Sequence, residues 1–172
     1  MDNSATKQIA LSAVNVAIIA LSAQIQIPIT PPITLQLAVI FFICGFFSFK
    51  IAFLSITTYL LAGFIGLPVF CGFQGGATVI MGATGGFLVS FLLFPFIFLL
   101  AGSNSVKRLV LCYILSLIVC YIFGFLWLNS YLKSSYTAFT SILIFIPADI
   151  IKGIFSAFLT VRLNKTIKNK IE

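Results

Sequence analysis

Apolar positions run through this chain in six long stretches, at about residues 9–27, 33–49, 51–65, 79–101, 109–128 and 137–163. Polar residues are gathered into the short breaks between them. Runs of this kind approach the roughly 20 residues that carry a helix across a hydrocarbon core of about 30 Å. They are continuous rather than alternating, which speaks against a transmembrane β-barrel. The pattern predicts an all-α membrane protein, with six transmembrane helices forming a single membrane domain over residues 1–172.

The breaks differ in kind. Pro28, Pro31 and Pro32 put three prolines into five residues and forbid a continuous helix there. Residues 66–78, GLPVFCGFQGGAT, hold no charge and are too broken for a helix. Irregular backbone at membrane depth survives only where it is buried in protein or lines a cavity. The expectation is a lid or re-entrant loop over a pocket, against the plainer reading of a tight interhelical connection. Pro147 interrupts the sixth stretch, where it can start or kink a helix. Ala20-Leu21-Ser22 resembles a signal cleavage site, but the apolar run continues past it, so the first stretch reads as a retained helix. Ala13 and Ala17 give that helix a small-xxx-small face, suited to packing within the chain or to docking a partner protein.

Composition strengthens this picture. The chain is 61% hydrophobic and 8% charged, with a mean hydropathy of +1.21. Soluble domains carry about 25% charged residues, so a water-soluble fold would have too little polar surface. The net charge of +7 comes from residues flanking the apolar stretches, which indicates membrane orientation and not nucleic-acid binding. With six crossings, Lys7, Lys50, Lys107, Arg108, Arg162, Lys165, Lys168 and Lys170 fall on one side and Lys133 on the other. The positive-inside rule then makes both termini cytoplasmic and opens the proline and glycine breaks outward. No histidine is present, which removes imidazole acid–base catalysis, and no GxxxxGK[ST] motif exists for ATP hydrolysis. No catalytic residue, metal site or cofactor is expected. Four cysteines without CxxC spacing suggest no disulfide framework.

Against this background two residues stand out. Asp149 is the one acid inside an apolar stretch, the other two being Asp2 and Glu172, and Lys152 follows at i+3 on the same helix face. Counting ten residues back from Arg162 puts Lys152 about 15 Å from the inner boundary, with Asp149 a turn further out. Intramembrane charges are rare and mark functional sites by default. The pair is either an internal ion pair that only offsets its own burial, or an acceptor and donor facing a polar ligand.

The ordered set IPITPPITLQ (27–36), GLPVFCGFQGG (66–76), GATGG (82–86) and IPADIIK (146–152) resembles the BioY family, over roughly residues 9–163. BioY proteins are the biotin-specific substrate-binding S components of energy-coupling factor (ECF) transporters. The family usually has a proline where Ala83 stands and a glycine where Ala148 stands. The resemblance implies an S-component bundle in the bacterial cytoplasmic membrane that takes up biotin. Its partners would be a transmembrane coupling protein, met by Ala13 and Ala17, and two cytoplasmic ATPases. Asp149 and Lys152 would hold the polar groups of biotin, with the choice between ureido ring and carboxylate open. Thr34 and Gln36 would add neutral hydrogen bonds. Tyr59, Phe70 and Phe73 would wall the ring, and Gly72, Gly75 and Gly76 would let the loop approach and move. An S component for another vitamin, or a stand-alone biotin facilitator, are the alternatives.

Overall fold

A computed structural model describes residues 3–29, 31–100 and 106–171. Thr30 of the proline break, the expected turn at 102–105, Ala101, the terminal Asp2 and Glu172, and the side chains of Lys168 and Lys170 lie outside the described residues. The first helix, α1, spans Asn3–Gln24. It stops short of the expected residue 27, because Pro28 and Pro31–Pro32 drive the neighbouring backbone to extended conformations. Gln26–Ile27 (β1) pairs antiparallel with Ile33–Thr34 (β2), Gln26 opposite Thr34. This hairpin is extended where the apolar pattern predicted the end of one helix and the start of the next.

Helix α2, Gln36–Phe46, and helix α3, Phe49–Phe64, follow. At 11 residues α2 is only about 16 Å long. Its shortness leaves room for the hairpin and a cavity at one end. Residues 66–76 then turn through positive φ at Gly66, Gly72, Phe73 and Gly76, with a 3₁₀ turn at Cys71–Phe73.

The expected helix over 79–101 is broken. It consists of α4, Ala77–Ile80; α5, Gly85–Ser90; a 3₁₀ turn, Phe91–Leu93; and α6, Phe94–Leu99. The glycines explain the first break. A Cβ on Gly85 would lie 1.7 Å from the Ile80 carbonyl oxygen, and one on Gly86 would lie 2.4 Å from that of Phe123. Pro95 opens α6 and lacks the N–H that would continue the ladder.

Two long helices complete the chain. They are α7, Val106–Leu132, and α8, Ser135–Ile171. The polar loop expected at 129–136 shrinks to two residues, Lys133 and Ser134, because both helices extend into it. Lys133 takes φ 53°, and the Ser134 hydroxyl accepts from the Thr137 N–H at 3.4 Å, capping α8. Pro147 lies inside α8 without ending it.

Among the described residues three helices are long and apolar enough to cross a membrane, Ala5–Gln24, Val106–Leu132 and Ser135–Thr166. Gln36–Phe46, Phe49–Phe64 and Gly85–Leu99 are shorter apolar helices packed with them. Leu21, Ile151 and Ile154 are each about two-thirds exposed, an apolar outer surface that fits lipid. Inside, Phe41 stacks on Phe94 at 5.5 Å and meets Tyr113 edge-on at 5.1 Å, joining α2, α6 and α7. Polar side chains tie helices together where no water competes. Asn15 donates to Ser55 at 3.2 Å between α1 and α3, and Tyr113 shares a 3.3 Å bond with Thr160 between α7 and α8. All four cysteines are free thiols.

Candidate functional site

A cavity of about 410 Å³ lies between the start of α2, the hairpin, the 66–76 loop, α5, α7 and α8. That volume falls in the range of small-molecule sites. Its polar end is the α8 pair. Lys152 Nζ donates to Asp149 Oδ1 at 2.7 Å, the i, i+3 geometry anticipated from spacing. Asp149 is only 5% exposed. Its other oxygen, Oδ2, accepts from the Tyr121 hydroxyl of α7 at 2.9 Å. One turn below, the Ser156 hydroxyl reaches the carbonyls of Lys152 and Ala38, both at 2.8 Å, and fastens α8 to α2. Charge-assisted bonds of this kind are stronger than neutral ones, and a dry surrounding strengthens them further.

Gln36, at the first turn of α2, lines the same cavity. It is buried, and its Nε2 has no hydrogen-bond partner among the described residues. A buried amide N–H without an acceptor is costly, which marks Gln36 as a donor able to meet one in the cavity. Thr34 also lines the cavity, as part of β2 rather than a helix.

The 66–76 loop forms part of the cover. Phe70 contributes a buried wall, and Cys71, Gly72 and Gln74 line the space beside it. The Phe70 ring packs edge-on against Tyr59 at 5.5 Å and sits directly on Gly63, where a Cβ would come within 2.0 Å of it. Gln24, at the end of α1, grips the loop backbone twice. Its Nε2 donates to the Phe70 carbonyl at 3.0 Å, and its Oε1 accepts from the Phe73 N–H at 2.8 Å. Cys71 Sγ donates to Gln26 Oε1 in the hairpin.

Asp149, Lys152, Thr34, Gln36, Phe70 and Gly72 are thus brought to one cavity. Tyr59, Phe73, Gly75 and Gly76 are not in its lining. Tyr59 is fully buried behind Phe70, with its hydroxyl on the Val69 carbonyl at 3.2 Å. Phe73 is 71% exposed, turned outward by its own positive φ. Gly75 and Gly76 shape the loop instead. A Cβ on Gly75 would meet the Leu67 carbonyl oxygen at 2.3 Å, and the Gly76 N–H donates to the Gly63 carbonyl at 2.7 Å. Ala13 and Ala17 are exposed on α1, on the side away from buried Ser12, Asn15 and Ile19.

Several lining residues were not expected at the site from sequence, among them Pro28, Ile29, Phe87, Cys120 and Phe145. Tyr121 was also missed. A phenol in an apolar helix needs a partner, and Asp149 is the one acid within the apolar stretches, so that signal was present.

The sequence model of the BioY family matches residues 1–169. A protein of Pyrococcus horikoshii named "Probable biotin transporter BioY" is 35% identical, over 91% of this chain and 96% of its own length. The "Biotin transporter BioY" of Thermotoga maritima is 33% identical, over 92% and 96%. A crystal structure of the S-component for biotin from an ECF-type ABC transporter superposes with a TM-score of 0.86. It shares 29% identity and covers 96% of this chain and 94% of its own.

Proposed function

The chain belongs to the BioY family, and on that premise we propose that its cavity binds biotin for uptake across the bacterial cytoplasmic membrane. The protein is the substrate-specific component of an ECF-type transporter. The observation that carries the reading is the polar end of the cavity, where a bonded Asp149–Lys152 pair shares the lining with Gln36, whose amide nitrogen has no partner among the described residues.

Biotin offers a flat ureido group with two N–H donors and one carbonyl, an apolar sulfur ring, and a valerate carboxylate. Donor and acceptor counts favour the ureido group at this end. A carboxylate oxygen has two acceptor sites. Asp149 uses one on Oδ1 for Lys152 and one on Oδ2 for Tyr121, so each oxygen can still take a ureido N–H. Among the described residues Lys152 Nζ is seen to bond only Asp149 and Gln36 Nε2 has no partner, which suits the ureido carbonyl. A carboxylate in the same place would bring only acceptors and a second negative charge toward Asp149, which is unfavourable at low dielectric. The valerate chain then runs past apolar Ile29, Leu37 and Phe70 toward the hairpin and the glycine loop.

The distribution of basic residues supports cytoplasmic termini, and with them a hairpin and loop that face outward to receive the vitamin. The exposed Ala13–Ala17 face of α1 allows close approach of another membrane helix. We assign it to the coupling protein, through which two cytoplasmic ATPases would drive transport. Calorimetric titration of the purified chain with biotin, riboflavin and thiamine tests the reading. Heat of binding from biotin alone is expected, and silence toward biotin overturns it.

A further inference from the structure

We propose that Tyr121 is a positioning residue for ligand recognition, acting through Asp149 without touching the ligand. The inference rests on Asp149 belonging to the biotin site. Tyr121 does not line the cavity, although Cys120 beside it in α7 does. The phenol therefore approaches the carboxylate from behind, and its hydroxyl meets Oδ2 at 2.9 Å. Lys152 meets Oδ1 at 2.7 Å. With a donor from α7 on one oxygen and a donor from α8 on the other, the carboxylate plane is fixed in rotation. Its remaining acceptor sites are thereby aimed.

Without the phenol, Oδ2 becomes a buried charged oxygen lacking its donor. The carboxylate is then free to turn and draw both oxygens toward the Lys152 ammonium. That rearrangement consumes the donors and acceptors that a ligand would use. Tyr121 thus keeps the pair open to a guest, a supporting role that sets how well a site is pre-organised.

A second phenol provides the control. Tyr113 also ties α7 to α8, through Thr160 at 3.3 Å, but it lies in the core and outside the cavity lining. If Tyr121 merely holds the helices together, the two tyrosines should behave alike.

The test is a double-mutant cycle on biotin affinity, measured by calorimetry on the purified full chain. Tyr121→Phe is expected to weaken binding about tenfold, because the binding-competent orientation of the carboxylate then becomes a minor one. Tyr113→Phe is expected to leave affinity within about twofold of the parent. Asp149→Asn keeps the shape and one acceptor, so its weakened binding can be followed at raised biotin. Tyr121→Phe should add no further loss in the Asp149→Asn background, whereas independent sites would give additive losses. An unchanged affinity in Tyr121→Phe overturns the inference, as does full additivity with Asp149→Asn or an equal loss in Tyr113→Phe. A parent chain that fails to bind biotin overturns instead the reading on which the inference rests.

Discussion

The α8 wall of the cavity and its cover are built by opposite means. The wall is regular helix. Asp149 and Lys152 sit three residues apart, and Ser156 and Tyr121 anchor them to α2 and α7. The cover is a two-residue-per-strand hairpin and a loop with four residues at positive φ, held by Gln24 and by the fit of Phe70 onto Gly63. The difference assigns chemistry to the rigid part and access to the adaptable part. Groups that must meet a ligand at hydrogen-bond distance gain from a fixed backbone. A vitamin must also enter and leave, and irregular segments with few ladder bonds open at lower cost.

The largest effect is expected on the wall. Lys152→Ala and Asp149→Ala should each weaken biotin binding by about a hundredfold or more, because each leaves a buried partner unpaired. The double variant sharpens the point. Removing both charges should bring thermal stability back toward the parent, since a buried pair contributes little net stability, while calorimetry still finds no binding. Recovery of binding in the double variant would reduce the pair to a structural ion pair.

Gly63→Ala probes the joint between wall and cover. Its new methyl would displace Phe70, and overpacking of this kind costs about 1–3 kcal/mol. Both the thermal midpoint and the biotin affinity should fall. Gln24→Leu acts on the cover alone by removing two bonds to loop backbone. Stopped-flow measurement should show biotin released severalfold faster, in line with roughly 1 kcal/mol per bond, and an unchanged release rate would mean that Gln24 does not restrain the loop. Ala17→Leu lies outside both regions. Affinity in the isolated chain should not change, but uptake by cells carrying the whole transporter should drop as the helix face loses its close approach. Normal uptake would remove Ala17 from the docking face.

Wall and cover also differ in how far they could be read from sequence. A lone acid and a lysine at i, i+3 in an apolar run carry their own geometry, and the 2.7 Å pair follows from helix periodicity. Gln36 was legible as a polar residue at the edge of an apolar stretch. The cover was legible as an irregular segment over a pocket, without its contacts. Its residue roles depend on individual φ values and on contacts distant in sequence. Phe70 and Phe73 have the same chemistry, yet one is buried on Gly63 and the other faces outward. Tyr59 was expected to wall the ring, but its position behind Phe70 depends on the loop's path. The break in the fourth stretch was likewise hidden, because glycine and proline within an apolar run are compatible with one helix or with several short ones. Gln24 and Tyr121 act across 46 and 28 residues of chain, separations that no local pattern encodes.

Trp127 is the chain's only tryptophan. Its indole N–H donates to the Gly82 carbonyl at 2.9 Å, and its side chain packs against Gly86. Thr84, between those two glycines, is a lining residue of the cavity. The protein therefore carries a single indole, fastened to a segment that also lines the cavity. Its emission wavelength and quenching report that junction without any label, and no second indole blurs the signal.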